Sequence, residues 1–250
     1  MNQSFYIGAT AAQEQQKRMN IQGNNIANVN THGFKAEKGR FGHLMTDKIK
    51  AVDDETGKIP VGTGGRLVFS ATDYNKGTPA STGRPFDFMI EGQGFFGVLD
   101  LSSREVTLTR NGAFYPAMVG ASIDMVDQFG NEVNEEGLYL SDGHGNFIID
   151  QNGNMISIQN DQDALPVGIF DFANRTGLIH EPGTQFKMSL EDVKNEMGTG
   201  ELKRGMLELS NVDLAEEITK VIESQRAYSM ALKLVQTTDE IETTINGLRG

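Results

Sequence analysis

The sequence contains no cysteine, which excludes disulfide bonds, thiolate metal sites and a cysteine nucleophile. Basic residues are few: 22 lysines and arginines against 34 acidic residues give a formal net charge of −12. Because no basic run exists to neutralise phosphates, we expect no nucleic-acid partner. No apolar run approaches the roughly 20 residues that span a bilayer, so we expect no direct membrane insertion. The N-terminal stretch MNQSFYIGATAAQEQQ lacks the basic and apolar regions of a cleavable secretory signal.

Helix-breaking residues are scarce at both ends of the chain. All six prolines lie between Pro60 and Pro182, and 22 of the 29 glycines lie between Gly57 and Gly205. Proline and glycine are disfavoured inside helices and concentrate in turns. The distribution therefore predicts two helical ends around a turn-rich middle.

The N-terminal 30 residues carry a heptad-like stripe of small and partly polar side chains, which predicts a helix. Its members are Phe5, Ala9, Ala12, Gln16, Met19, Gly23, Ile26 and Asn30. Glycine costs about 1 kcal/mol relative to alanine inside a helix, so we expect a neighbouring backbone to approach Gly23. Gly33 is a candidate for the left-handed residue that ends this helix.

Asparagines are concentrated at the end of this stripe, at positions 20, 24, 25, 28 and 30. Asparagine is a weak helix former. We expect some of these amides to be buried and to fix how helices align, as a buried asparagine does in a coiled coil. The others would be solvated at a fraying helix end.

The C-terminal stripe is more apolar and predicts a helix from 211 to 248, about 57 Å long. Its members are Leu214, Ile218, Val221, Gln225, Tyr228, Leu232 and Val235, followed by Ile241, Ile245 and Leu248. Ser210 and Asp213 form a possible capping box, and Glu216 is placed to pair with Lys220. These helices could pack on the middle of the chain, or with each other and with neighbouring molecules; the length favours the second arrangement.

The middle of the chain, from about 66 to 209, alternates short apolar runs with turn signals. The runs include RLVFS, FDFMI, FFGVL, EVTLT, NFIID, PVGIFDF and GMLEL. Runs of this length predict strands and hairpins. The fold class is therefore α+β, with long terminal helices packed as a coiled-coil-like stem and a mainly antiparallel β middle.

Two motifs match ligand-binding patterns only in part. Gly92, Gly94 and Gly97 have dinucleotide-binding spacing, but a strand rather than a helix follows them, so we interpret them as a turn. The segment from Asp150 to Asp161 begins like a calcium loop, but Met155 stands where glycine is required, so we predict an Asx-rich hairpin turn. Histidines at 32, 43, 144 and 180 lack metal-ligand spacing. We expect no catalytic, metal or cofactor site.

Four blocks resemble the flagellar basal-body rod proteins in order and spacing. They are NNIANVNTHGFK at 24–35, GRPFDFMIEGQGFFGV at 83–98, TRNGAF at 109–114 and SNVDLAEEITKVIESQRAY at 210–228. The matching positions are Asn24, Asn25, Ile26, Ala27, Asn28, Thr31, Gly33, Phe34, Ser210, Asn211, Val212, Gln225, Arg226, Ala227 and Tyr228. His32, Ser229 and Ala231 depart from the family pattern. The segment 44–64 resembles the extra stretch of distal-rod proteins but is shorter, so distal and proximal types both remain open.

The resemblance implies a structural subunit, not an enzyme, that self-assembles into a hollow helical shaft through its terminal helices. The implied partners are further copies, other rod and hook subunits and the flagellar export apparatus. The implied location is the basal body outside the cytoplasmic membrane, reached without a cleavable signal. We expect an N-terminal stem helix at 1–35, an extended linker at 36–80, a β-rich domain at 81–205 and a C-terminal stem helix at 206–250.

The expected assembly interface combines the two signatures with the C-terminal stripe. It comprises Asn24, Asn25, Ile26, Asn28, Gly33, Phe34, Ser210, Asn211, Leu214, Ile218, Val221, Ile222, Gln225, Arg226, Tyr228, Leu232 and Val235. The alternative is a secreted β-domain adhesin or glycan-processing protein that its terminal helices merely dimerise. A rod subunit should have its two ends side by side.

Overall fold

The computed structural model describes residues 3–43, 46–50, 58–62, 64–101, 103–119, 125–126, 132–133, 137–158, 165–172, 178–180, 183–188 and 196–248. The chain forms two compact units. Unit 1 comprises Met1–Ala27, Glu37–Asp73 and Asp213–Gly250, and unit 2 comprises Asn28–Ala36 and Tyr74–Val212.

The described elements are two long helices and nineteen strands, so the fold is α+β, as expected. In chain order they are α1 (Gln3–Ala27), β1 (Glu37–His43), β2 (Thr46–Lys50), β3 (Lys58–Gly62), β4 (Gly65–Thr72), β5 (Pro79–Ser81), β6 (Phe88–Glu91), β7 (Phe95–Asp100), β8 (Val106–Thr109), β9 (Tyr115–Val119), β10 (Met125–Val126), β11 (Glu132–Val133), β12 (Gly137–Ser141), β13 (Asn146–Ile148), β14 (Ile169–Asp171), β15 (Leu178–His180), β16 (Gln185–Met188), β17 (Glu196–Met197), β18 (Glu201–Arg204), β19 (Met206–Glu208) and α2 (Leu214–Leu248).

In unit 1 the two helices pack side by side in antiparallel directions. Asn25, near the end of α1, contacts Glu217 near the start of α2. Gly8, near the start of α1, lies against Ala231 and Val235 farther along α2. Strands β1 and β4 form an antiparallel ladder with a register shift at Arg40, and β2 pairs with β3. All four strands fall within the segment 36–80 that the sequence suggested as an extended linker.

The capping box predicted at the start of α2 is wrong. The helix begins at Leu214 rather than at residue 211. Asp213 is itself the N-cap: its Oδ1 accepts hydrogen bonds from the backbone N–H groups of Ala215 (2.9 Å) and Glu216 (3.2 Å). Ser210 Oγ instead accepts from Val212 N, in a turn before the helix.

Helix α1 ends at Ala27, earlier than predicted, and Gly33 is not its terminator. Asn28 O accepts a hydrogen bond from Thr31 N at 3.1 Å, which starts a turn instead of another helical turn. Gly33 does adopt the left-handed conformation, with φ of 70°. A Cβ there would lie 2.3 Å from backbone atoms of Arg110 and Asn111, so this position requires glycine because another segment passes close to it.

Unit 2 is built on an antiparallel sheet with the strand order β15-β16-β8-β7-β13-β12-β9. Strand β14 also pairs with β7 and with β17, while β18 pairs with β6 and β19 with β5. A larger core cluster includes Phe88, Phe96, Phe114, Leu140 and Ile148, and a smaller one comprises Phe95, Leu108, Phe172 and Phe186. The described strands thus confirm the antiparallel β middle.

Both partial motifs contain the turns that the sequence suggested, although Gly97 lies inside β7 rather than in the turn. Gly92 and Gly94, each with φ of 131°, connect β6 to β7. Asp150 Oδ1 accepts hydrogen bonds at 2.8 Å from the backbone N–H groups of Asn152 and Asn154, closing an Asx-type turn. Asp161, the last position of the calcium-like segment, lies outside the described residues.

Candidate assembly site

The side chains of α2 that are buried against α1 are small or polar, and Val235 of the apolar stripe also touches α1. The buried residues of α2 recur every seven positions: Glu217, Ser224, Ala231 and Thr238. Gly8 and Ala12 are buried on α1, and a Cβ on Gly8 would lie 2.8 Å from Val235 Cγ2. We call these six residues, Glu217, Ser224, Ala231 and Thr238 of α2 with Gly8 and Ala12 of α1, the seam. Small side chains at the seam let the two helices approach closely.

The expectation that a backbone approaches Gly23 is wrong within the subunit. A Cβ at Gly23 would meet no described atom within 4 Å other than those of its own helix, and the residue is exposed. Gly8 occupies the close contact instead. The two glycines look alike in sequence, and only the position of α2 distinguishes them.

Three aliphatic side chains of the predicted stripe, together with the adjacent Ile222, are exposed on α2 beside the seam. Leu214, Ile218, Ile222 and Leu232 are 39–45% exposed, and we call these four residues the aliphatic face. Met230 and Leu234 add further exposed apolar area on the same helix. The α1–α2 pair therefore leaves much of the apolar surface of α2 uncovered.

Asn25 is a buried amide that connects three chain segments of unit 1. Its Nδ2 donates to Glu37 O at 2.9 Å and to Glu217 Oε2 at 3.3 Å, and its Oδ1 accepts from Glu37 N at 2.9 Å. The amide thereby ties the end of α1 to the start of β1 and to α2. Asn20, Asn24 and Asn30 are exposed, so the expected mixture of buried and solvated asparagines is confirmed.

Glu217 also belongs to a group of charged side chains on α2. Lys220 Nζ lies 2.7 Å from Glu217 Oε1 and 2.7 Å from Glu216 Oε1, which confirms the predicted Glu216–Lys220 pair. Partial burial opposes the charged form of Lys220, but its hydrogen bonds to Glu216 and Glu217 outweigh this and raise its pKa.

In unit 2 a buried charge cluster joins residues from three distant parts of the sequence. Lys35 Nζ lies 2.5 Å from Glu208 Oε1, and Arg110 Nη1 lies 3.1 Å from Glu208 Oε2. Gly77 N also donates to Glu208, and Arg110 donates to the carbonyl oxygens of Ile90 and Gly92. Because each carboxylate oxygen and both cations have partners, the charges are tolerated in the interior.

Beside this cluster, the segment that follows α1 lies against the segment that precedes α2. Gly33 N donates to Glu208 O at 2.7 Å, and Ala36 N donates to Asn211 Oδ1 at 2.7 Å. Asn211 also donates to the carbonyl oxygens of Phe34 and Asn75. We call the contacts of 33–36 with 208–211 the clamp.

The expected interface residues fall into three groups by burial. Asn25, Gly33 and Phe34 are buried; Ile26, Asn28, Ser210, Asn211, Val221, Tyr228 and Val235 are half-buried; Asn24, Leu214, Ile218, Ile222, Gln225, Arg226 and Leu232 are exposed. The buried signature residues make contacts inside the subunit.

Sequence reasoning missed Lys35, Arg110 and Glu208 as a group. Lys35 and Arg110 lie inside recognised blocks, and Glu208 directly follows the buried Leu207 in β19. A charged residue within an apolar strand run was the available signal. Its two partners could not be identified without the fold, because they are 98 and 173 positions away.

Within the described part of the chain, no three histidine, aspartate or glutamate side chains cluster closely enough to hold a metal ion. Neither α1 nor α2 contains a stretch long and apolar enough to cross a membrane, considering only their described residues.

Comparison with known families shows that the chain is similar to structural proteins of the bacterial flagellum. The family model described as "Flagella basal body rod protein" matches residues 5–35. The model described as "Flagellar basal body rod FlgEFG protein C-terminal" matches residues 203–248. Both matches cover the segments that contain the terminal helices.

Full-length relatives make the placement specific. The flagellar basal-body rod protein FlgG of Bacillus subtilis is 31% identical, over 96% of this chain and 97% of the relative. FlgG of Caulobacter vibrioides is 30% identical over 99% of both chains, and FlgF of that organism is 29% identical over 96% of this chain and 95% of the relative. The chain therefore belongs to the flagellar basal-body rod protein family. It is a structural rod subunit rather than an enzyme, which decides against the adhesin or glycan-processing alternative.

Proposed function

We propose that this rod subunit self-assembles into a hollow helical shaft through the exposed faces of α1 and α2, with the helix pairs packed as a coiled-coil-like stem. The observation that carries the proposal is the position of the aliphatic face beside the seam. Within one subunit the buried side chains of α2 are small or polar, and Val235 also touches α1. The larger side chains of the aliphatic face are left for contacts with other copies.

The energetics favour association. Fully burying a leucine or isoleucine side chain stabilises by roughly 1.5–3 kcal/mol, and the four members of the aliphatic face are only partly buried in the subunit. On α1, Phe5 and Tyr6 are also exposed. Packing these side chains between subunits would gain free energy at every repeat of a polymer.

Further parts of the proposal concern the surroundings of the subunit. Its partners would be other copies, other rod and hook subunits and the flagellar export apparatus, and its location would be the basal body outside the cytoplasmic membrane. The subunit would be of the distal or proximal rod type. We keep as a proposal the division into stem segments at 1–35 and 206–250, an intervening segment at 36–80 and a β domain at 81–205, with the helices of the stem segments bounded as α1 and α2.

Within the expected interface, the exposed residues are the proposed contacts between copies. They are Asn24, Leu214, Ile218, Ile222, Gln225, Arg226 and Leu232. Half-buried Val221, Tyr228 and Val235 would contribute their accessible edges.

The test is Ile222→Asp and, separately, Leu232→Asp, in a bacterium that lacks the unmodified gene. Both side chains are exposed in the subunit, so the monomer should still fold. In an assembled rod the carboxylate would be desolvated, at a cost of several kcal/mol per subunit unless it is protonated or paired. We expect export of the protein but neither assembled rods nor swimming.

The matched control is Met118→Asp, an exposed apolar residue on β9 of unit 2. This variant should swim and appear in isolated basal bodies. Normal motility of the Ile222→Asp and Leu232→Asp strains, with the variant subunit present in their basal bodies, would contradict the proposal.

A further inference from the structure

Unit 1 contains a groove of about 630 Å³ between α1, β1 and α2. Ile21, Phe41 and Ala227 provide its apolar lining, and Arg18, Lys38, Arg40 and Lys220 provide its basic side chains. Glu37, Glu217 and Glu223 also line it. On a chain with a net charge of −12, this is a local concentration of cations.

Two polar atoms in the groove wall lack a partner among the residues that the structure describes. Arg18 Nε and Gln22 Oε1 are buried and have no hydrogen-bond partner among the described residues. The Arg18 guanidinium lies over the Phe41 ring, with 3.9 Å between Cζ and the ring centroid. Buried polar atoms are normally hydrogen-bonded, so these two point to an occupant with both an acceptor and a donor.

The cations of the groove are not all engaged by its own acids. Lys38 pairs with Asp73, and Lys220 pairs with Glu216 and Glu217. Arg18 and Arg40 form no ion pair within the described ranges and instead lie over the rings of Phe41 and Phe69. An acidic occupant would therefore find two unneutralised guanidinium groups.

The far end of α2 has the complementary chemistry. Helix α2 has 35 residues and α1 has 25, and in the antiparallel pair the start of α1 lies opposite the region near Thr238. Every residue from Asp239 to Leu248 is exposed. We call these ten residues the tip.

The tip is both aliphatic and acidic. Ile241, Ile245 and Leu248 lie on one side at helical spacing and are 50%, 51% and 83% exposed. Asp239, Glu240 and Glu242 provide three negative charges. The carboxylates of the tip can accept a hydrogen bond from Arg18 Nε, and the side-chain amide of Asn246 can donate one to Gln22 Oε1.

We propose that the tip of α2 in one copy docks into the groove of the next copy. This contact joins two different surfaces, so it is heterologous, and repeating it generates an open helical polymer rather than a closed dimer. On α2 the groove is centred near Glu223, and the tip is centred near Ile245. These two positions are 22 residues apart, so neighbouring copies would be displaced by about 33 Å along the helix axis. The inference rests on the proposed function and names the contact that would carry assembly.

The absence of cysteine gives the test a clean background. Two differently tagged copies are expressed together in cells lacking the unmodified gene, one with Ile245→Cys and the other with Glu223→Cys. Basal bodies are isolated and oxidised, and the products are separated by size. We expect a disulfide-linked dimer that contains both tags, because a disulfide requires the two Cβ atoms to lie about 3.5–4.5 Å apart.

The control replaces Glu223→Cys with Met118→Cys, which should give no mixed dimer. Assembled basal bodies that contain both tagged copies but yield no mixed dimer would overturn the docking contact while leaving rod assembly through the helices intact. Failure of the proposed function is recognised separately, by normal assembly of Ile222→Asp and Leu232→Asp.

A charge exchange decides the matter if the cysteine variants do not enter basal bodies. Arg40→Glu should reduce the assembled subunit at least tenfold, and adding Glu242→Arg to the same chain should restore it. A double variant that assembles no better than Arg40→Glu alone would refute the contact.

Discussion

Asn25 Nδ2 lies 3.3 Å from Glu217 Oε2, which connects α1 to α2 across 192 positions of sequence. The same amide binds both backbone polar groups of Glu37. Its role depends on having a donor and an acceptor on one side chain. A carboxylate of the same shape cannot reproduce that combination.

We therefore expect Asn25→Asp to destabilise unit 1 by about 1–3 kcal/mol, because the new carboxylate loses the donor and faces the Glu217 carboxylate. Chemical denaturation followed by helix content measures the change. Asn24→Asp, at the exposed neighbouring position, is the control and should change stability by much less. Equal losses in the two variants would show that the buried amide is not special.

The carboxylate of Glu208 holds two buried cations in unit 2, so its removal should be costly. Glu208→Gln leaves Lys35 and Arg110 with no anionic partner in the cluster and should destabilise unit 2 by about 3–5 kcal/mol. Urea denaturation measures this, with Glu201→Gln on exposed β18 as the control. The double variant Lys35→Met/Glu208→Gln should lose less than the sum of the two single changes. Additive losses would argue against direct coupling.

Two glycines of α1 should respond in opposite ways to the same substitution. Gly8→Val places methyl groups against Val235 and should cost about 1–3 kcal/mol by overpacking the seam. Gly23→Val has open space and should be neutral or stabilising by a few tenths of a kcal/mol, because valine is a better helix former than glycine. Thermal unfolding of the monomer compares them. Similar melting temperatures would contradict the close approach of α2 to Gly8.

The surface pair between Glu91 and Lys203, on the β6–β18 ladder, predicts a pH effect. The hydrogen bond and charge of Lys203 lower the pKa of Glu91 below 4.5, and Glu91 raises the pKa of Lys203 above 10.5. The contribution of Glu91 to stability is therefore complete above pH 4.5 and is lost as the pH falls through its lowered pKa. The contribution of Lys203 is present below pH 10.5 and is lost as the pH rises through its raised pKa.

An NMR titration of the Glu91 carboxyl carbon checks this sign. The midpoint should lie below that of an unperturbed glutamate, and Lys203→Met should move it upward. Because both groups are exposed, added salt should shrink the difference. An unchanged midpoint in Lys203→Met would contradict the assignment.

The sequence predicted the long helices and the antiparallel middle because these depend on spacing and on where glycine and proline are absent. The seam was not predictable in the same way. Ser224, Ala231 and Thr238 carry little hydrophobic signal, whereas Ile218 and Ile222 carry much, so the pattern drew attention to the surface that the subunit leaves exposed. The residue that caps α2 was predicted wrongly because both Ser210 and Asp213 are good helix-capping residues.

The cluster around Glu208 shows the other limit. Neither Lys35 nor Arg110 is near Glu208 in sequence, and their pairing follows from the strand arrangement of unit 2. Gly33 is a related case: its left-handed conformation was expected, but the reason for it is the backbone of Arg110 and Asn111. Close approaches between distant segments have no local signature.

The clamp holds the two ends of the chain segment between Ala36 and Asn211 together by hydrogen bonds, so this segment is a long closed loop. The entropic cost of closing such a loop depends weakly on its length, since each doubling in length costs only about 0.6 kcal/mol. Segments inserted into the turns of the sheet would thus destabilise the clamp very little. The middle of the chain can therefore vary in length while the contacts of the clamp keep their geometry.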